Sequence, residues 1–196
     1  QALHQTGHVM YFRRKTVQGD GRWFPRPNDI IAYNVLDALR RDSCPICMLT
    51  QRSEDRSLFS LFWENVNSPH IRFRLRQSLG FCEYHTRVVW LTVRQPWVGP
   101  LGVTILYRDF VNTVVGRLRS PTPLRARLFT SKTDRVRRHL EPSRPCWLCE
   151  LSEETEKTYL DALVEGIDTS PTLRHHYAES HGLCIPHAER AMHASR

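Results

Sequence analysis

Long apolar runs are missing from this sequence. The most apolar stretch, Val98 to Tyr107, is about half of what a bilayer crossing needs and runs straight into Arg108 and Asp109. Residues 1–20 carry no sustained apolar segment, so no secretory signal pattern opens the chain. Together these absences predict a soluble, cytoplasmic protein. The first residue is Gln1 rather than Met, which predicts a native terminus, and any targeting segment, upstream of it.

Catalytic signatures are missing as well. There is no phosphate loop, no dinucleotide fingerprint, no nucleophile elbow and no suggestive pair of carboxylates. No reaction follows from the sequence, and the reading leans towards a non-enzymatic protein. Convincing strands are few. Acidic residues are short relative to basic ones, 20 against 28, for a formal charge of +8. That balance admits nucleic acid, an anionic membrane surface or an acidic protein as partner without choosing among them.

What the sequence does have is a duplication. One offset of 102 residues carries Cys44 onto Cys146, Cys47 onto Cys149, Cys82 onto Cys184 and His85 onto His187. It also carries Leu58 onto Leu160, Leu61 onto Leu163, Ser68-Pro69 onto Ser170-Pro171, and Gly80 onto Gly182. Both Cys-x-x-Cys to Cys-x-x-His gaps hold 34 residues. Periodic self-similarity of this kind marks repeated structural units.

Each repeat reads as helical. Ser53-Glu54-Asp55 is a predicted helix start, followed by Leu58, Leu61 and Phe62 at helical spacing; Tyr159, Leu160, Leu163 and Val164 repeat the stripe. Ser68-Pro69 and Ser170-Pro171 place a capping hydroxyl before a proline at the first helical position. Gly80 and Gly182 suit the left-handed residue that closes a helix. Asn28 to Arg41 reads as a further amphipathic helix with Ile31, Val35, Leu36 and Leu39 inward. Residues 86–118 hold two more helical stretches, broken at Gln95-Pro96 and Gly99-Pro100. The predicted architecture is mainly α: an extension over 1–27, one helical unit over 28–118, a basic proline-containing linker over 119–144 and a shorter unit over 145–196. Each unit is expected to be pinned by its own Cys3His metal site.

The ligand chemistry follows from residue type. Two thiolates from Cys-x-x-Cys and a Cys/His pair from a helix start complete a tetrahedron, and four protein ligands leave no position for substrate or water. The expected ligands are Cys44, Cys47, Cys82 and His85, with Cys146, Cys149, Cys184 and His187. Zinc in a structural role fits this closed set, two sites in all. An iron–sulfur cluster is the alternative, and would make the protein an electron carrier or redox sensor. Disulfides compete because the cysteine count is even and Cys44-Pro45-Ile46-Cys47 resembles a thioredoxin-type motif. Against them, the duplicated His has no part in a disulfide and three cysteines per unit leave one unpaired. A zinc with three thiolates and a neutral imidazole carries −1, so two sites would lower the formal charge to about +6.

Other residues support blander readings. His175-His176 suits a solvent-facing helix better than a metal site. Residues 117–144 hold nine basic side chains against Asp134 and Glu141. Among them Arg125, Arg127, Arg135, Arg137 and Arg138 are candidates for contact with nucleic acid or an acidic partner. A solvated linker face explains them more simply. Trp23 and Trp97 lie among prolines and suit packing over helix ends. Trp147, inside the second Cys-x-x-Cys, is expected to shield that site from water.

Three segments carry a resemblance: Cys44-Pro45-Ile46-Cys47, Glu64-Asn65-Val66-Asn67-Ser68-Pro69, and Gly80-Phe81-Cys82-Glu83-Tyr84-His85. The chain is similar, over about 30–118 and 145–193, to uncharacterised bacterial proteins bearing duplicated Cys-x-x-Cys and Gly-[Phe/Leu]-Cys-x-x-His units, grouped as a domain of unknown function. The resemblance implies a soluble bacterial, helical, metal-binding protein, and supplies no activity. A protein partner or larger complex is the expected setting.

Overall fold

The computed structural model describes residues 30–96, 98–121 and 131–194. The predicted extension over 1–27, Trp23, Trp97, Arg125 and Arg127 lie outside them. Among the described residues the chain is mainly α, with no strand. The helices are α1 (Ile30–Leu39), α2 (Pro45–Ser60), α3 (Pro69–Gln77), α4 (Glu83–Val93), α5 (Pro100–Arg119), α6 (Lys132–Leu140), α7 (Trp147–Thr169), α8 (Pro171–Ala178) and α9 (Ile185–Ala194). A π-helical turn, Leu61–Asn65, prolongs α2.

Several boundaries follow local chemistry. Prolines stand at the first turns of α2, α3, α5 and α8, where the missing N–H has no intrahelical partner to lose. Ser170 caps α8 by accepting from the amide of Leu173, whereas Ser68 makes no such bond. The helix predicted to open at Ser53 begins earlier, at Pro45, so Cys44 is the residue flanking its first turn and Cys47 lies inside it. The proline after Cys44 supplies the start that Ser53-Glu54-Asp55 was expected to give. Gly80 and Gly182 have φ of +100° and +78°, but the left-handed residue that closes α3 is Leu79 at +55°, with Gly80 next to it donating to the carbonyl of Leu75. Gly182 lies three residues beyond the cap of α8 rather than at it.

The two long helices, α2 and α7, pack on each other in antiparallel fashion. Ser53 bonds Thr155 at 3.1 Å and Ser152 bonds Glu54 at 2.5 Å, so residue numbers fall along one helix as they rise along the other. Ser53 and Thr155 are equivalent under the 102-residue offset. A pair of equivalent residues in mutual contact marks an approximate two-fold axis between the repeats.

Two cores lie on either side of this axis, and each mixes the repeats. The first gathers Ile46 and Leu49 from the start of α2 with Leu160 and Leu163 from α7 and Leu173 from α8. The second gathers Leu148 from the start of α7 with Leu58, Leu61, Leu75 and Val89. The remaining wall of each core is different. In the first it is α1, through Val35, Leu36, Ala38 and Leu39, with the predicted inward Ile31 at 37% exposure instead. In the second it is α5, through Leu106 and Phe110.

The residues explain the substitution. Helix α6 occupies the offset position of α1, within the segment read as a linker. Where α1 presents Val35, Leu36 and Leu39, the offset places Arg137, Arg138 and Glu141. Burying those charges unpaired would cost several kcal/mol each. Helix α6 accordingly has no buried residue and rests on α5, where Arg117 donates to the carbonyl of Glu141.

Candidate metal centres

Four helix starts carry the ligands. Cys44 and Cys146 immediately precede α2 and α7, with Cys47 and Cys149 in the first turns; Cys82 and Cys184 precede α4 and α9, with His85 and His187 in the first turns. The eight predicted ligands form two Cys3His groups, each with its ligand atoms within 4.8 Å of one another. Each group therefore lies where two helix N-termini converge, and their positive dipole ends favour thiolate charge.

The groups are assembled across the repeats rather than within them. Cys44 and Cys47 meet Cys184 and His187; Cys82 and His85 meet Cys146 and Cys149. This corrects the expectation that each unit holds its own site. The reason is reach. Helix α2 and its π-helical turn span 16 and 5 residues, about 30 Å at 1.5 Å per residue, and the 9 residues of α3 return only about 13 Å. Cys82 is thus carried away from Cys47, and antiparallel α7 delivers Cys146 and Cys149 to it. The chain leading into Cys146 is tied to the end of α3, where Ser143 donates its amide to the carbonyl of Gln77 at 2.9 Å. Arg74 of α3 is paired with Glu150 of α7.

The distances suit one ion in each group. His187 Nδ1 lies 3.4 Å from the Sγ of both Cys44 and Cys47 and 3.0 Å from that of Cys184. His85 Nδ1 lies 3.2, 3.6 and 3.3 Å from Cys82, Cys146 and Cys149. The sulfurs of Cys47 and Cys184 are 3.7 Å apart and those of Cys82 and Cys149 3.6 Å. A tetrahedron with metal–sulfur bonds of about 2.3 Å has sulfurs about 3.8 Å apart. A disulfide would need about 2.05 Å, and all six cysteines are free.

Behind each histidine stands a carboxylate that the sequence reading passed over. His85 Nε2 faces Glu54 at 3.2 Å and His187 Nε2 faces Glu156 at 3.1 Å. The 102-residue offset carries Glu54 onto Glu156, so the signal was present in the alignment of the repeats. With Nε2–H donating to the acid, the lone pair of Nδ1 is left facing the sulfurs. This is the carboxylate–histidine arrangement that fixes tautomer and ring orientation in metal sites.

The surroundings of the two groups differ. Glu54 is buried and also accepts from Ser152, and the ring of Tyr84 stands edge-on to His85 at 4.9 Å. Glu156 is paired instead with Arg190 at 2.7 Å, a side chain 59% exposed. Trp147 is half-buried and packs against the second core, to which Cys82, Cys146 and Cys149 also belong.

Thiol protonation follows from crowding. Burial pushes Cys47 and Cys149 up to about 12, reinforced by the neighbouring sulfurs of Cys184 and Cys44, or Cys82 and Cys146. At Cys44 burial also acts upward, but amide donors from Cys47 and Cys184 outweigh it and the thiol is lowered. Metal-free, each group keeps protons that a bound cation must displace.

The remaining candidates are not brought to these sites. Arg135, Arg137 and Arg138 lie on α6, with Arg137 and Arg138 exposed. His175 faces solvent and pairs with Glu179. Among the described residues no helix is long and apolar enough to cross a membrane.

A sequence profile for a family of unknown function (DUF6062) matches residues 27–196. The chain belongs to that family. No curated protein and no solved structure matches it.

Proposed function

We propose that this member of a family of unknown function is a non-enzymatic helical scaffold, stapled by two structural zinc ions, that acts as an interaction module or accessory subunit. The observation that carries the zinc reading is the pair of closed Cys3His groups, each backed by its own carboxylate. Sulfurs 3.6–3.7 Å apart suit ligands sharing one ion. An iron–sulfur cluster is the alternative occupant, and would make the protein an electron carrier or redox sensor. Each ion would join a Cys-x-x-Cys of one repeat to a Cys-x-x-His of the other, so binding energy becomes folding energy across the molecule.

A surface difference supports the interaction role. Phe59 and Trp63 stack at 5.9 Å on the outside of α2 and its π-helical turn, with Trp63 at 65% exposure. The offset places Asp161 and Glu165 at the matching positions of α7. Paired exposed aromatics on one repeat, with acids on the other, suit a partner protein that engages one face. The setting we infer is cytoplasmic.

Elemental analysis with an absorption spectrum tests the metal. Two colourless zinc ions per chain are expected, and a strong chelator should abolish the helical circular dichroism. A brown, iron-containing protein, or a chelated one that keeps its melting point, would refute the reading.

A further inference from the structure

The two groups have the same ligands and unequal access to solvent. Cys47 is exposed whereas its equivalent, Cys149, is half-buried. The side chains of His187 and Glu156 are 12% and 15% exposed, against 5% and 8% for His85 and Glu54. The ring of Tyr84 that leans on His85 has Pro186 as its counterpart, and the Trp147 beside the Cys82 group has Pro45. Cys47 is therefore the one sulfur of the two groups that stands exposed to small polar oxidants. The exposed sulfur also has a partner at hand, since Cys47 Sγ and Cys184 Sγ are 3.7 Å apart.

We propose that the Cys44–Cys47–Cys184–His187 group is a site of reversible thiol oxidation, with Cys47 as the sulfur attacked by a hydroperoxide and Cys184 as the resolving thiol. The proposal rests on the zinc reading above, because a bound cation is what keeps both sulfurs as thiolates. The Cys47 thiolate attacks one peroxide oxygen; the O–O bond breaks, a sulfenic acid forms and the departing hydroxide (or alkoxide) takes up a proton. The Cys184 thiolate then attacks Cys47 Sγ; the S–O bond breaks, the S–S bond forms, and the second hydroxide is protonated to water. Two thiolates lose two electrons, one peroxide gains them, and two protons are consumed. The disulfide removes two of the four ligands, so the metal is released. A dithiol reductant reverses the change by thiol–disulfide exchange.

In the Cys82 group no sulfur is exposed, since Cys146 is buried and Cys82 and Cys149 are half-buried, so that group is expected to react more slowly and stay loaded longer. Oxidation would thus unfasten one core, the one walled by α1, and leave the other stapled. A peroxide signal would in this way become a partial loosening of the scaffold.

The test uses the full, zinc-loaded chain. Hydrogen peroxide is added while a chromogenic chelator follows free zinc, and alkylated peptides are then mapped without reduction. The expected result is release of half the zinc about tenfold or more faster than the rest, with a Cys47–Cys184 cross-linked peptide. Dithiothreitol and zinc should restore the starting state. Loss of both ions at one rate, or a first disulfide between any other pair, would overturn the proposal alone. A chain that holds no zinc before peroxide is added would take the zinc reading down first and the proposal with it.

Discussion

The two candidate metal groups are copies of one motif, yet the Cys82 group is the more enclosed, its cysteines all buried or half-buried where Cys47 of the other is exposed. Their ligands, helix starts and orienting carboxylates correspond residue for residue under the offset. The differences lie in what stands behind them. Glu54 is held by Ser152 in a buried setting, while Glu156 is held by a solvent-facing Arg190. The second core is walled by α5 and the first by α1. Duplication therefore preserved the ligand set and let the packing diverge around it, so that one scaffold carries a more enclosed group beside a more accessible one.

The largest expected effect tests how the groups are assembled. Cys44→Ser combined with Cys184→Ser removes ligands from one group and should leave one zinc bound. Cys44→Ser combined with Cys82→Ser strikes both groups and should leave none, with loss of the cooperative thermal transition. If the second pair still binds one zinc, the ligands pair within the repeats and the crossing is wrong.

A smaller effect separates the carboxylates. Glu54→Gln should weaken zinc at the Cys82 group by about 10–100-fold, the usual consequence of losing the acid behind a metal-bound histidine. Glu156→Gln should cost less, because the exposed setting lets water replace part of the lost contact. Competition with a chelator of known affinity measures both, and equal losses would show that burial does not matter here.

The smallest effect concerns the glycines. An alanine at Gly80 would adopt a disfavoured φ and bring its Cβ to 3.1 Å from the ring of Phe110, whereas one at Gly182 meets no atom within 4 Å. Gly80→Ala should cost about 1–3 kcal/mol and Gly182→Ala about 1 kcal/mol. Urea titration of the zinc-loaded chain distinguishes them; the reverse order would contradict the packing of α5 on that turn.

The helical class, the duplicated Cys and His positions and the positive φ of Gly80 and Gly182 could be read directly from spacing. Local rules suffice for these, since a proline start or a left-handed turn is decided within a few residues. The basic stretch near Arg135 was harder to place, because only alignment with α1 reveals α6 as a helix displaced from a core. Glu54 and Glu156 went unnoticed for a different reason: no spacing rule ties an acid on one helix to a histidine on another.

By itself, then, the sequence determined which eight residues would gather into two sets of four able to hold a metal ion, because residue type and i, i+3 spacing at helix starts dictate that much. It could not determine which Cys-x-x-Cys serves which Cys-x-x-His. Both pairings satisfy the same chemistry, and the choice depends on the length of α2 relative to α3 and on the antiparallel contact with α7. The closer enclosure of one group was likewise decided in three dimensions, where Ser152 of α7 bonds the buried Glu54 of α2 that faces His85 of α4. Those three residues are distant in the chain, and only the folded core brings them together.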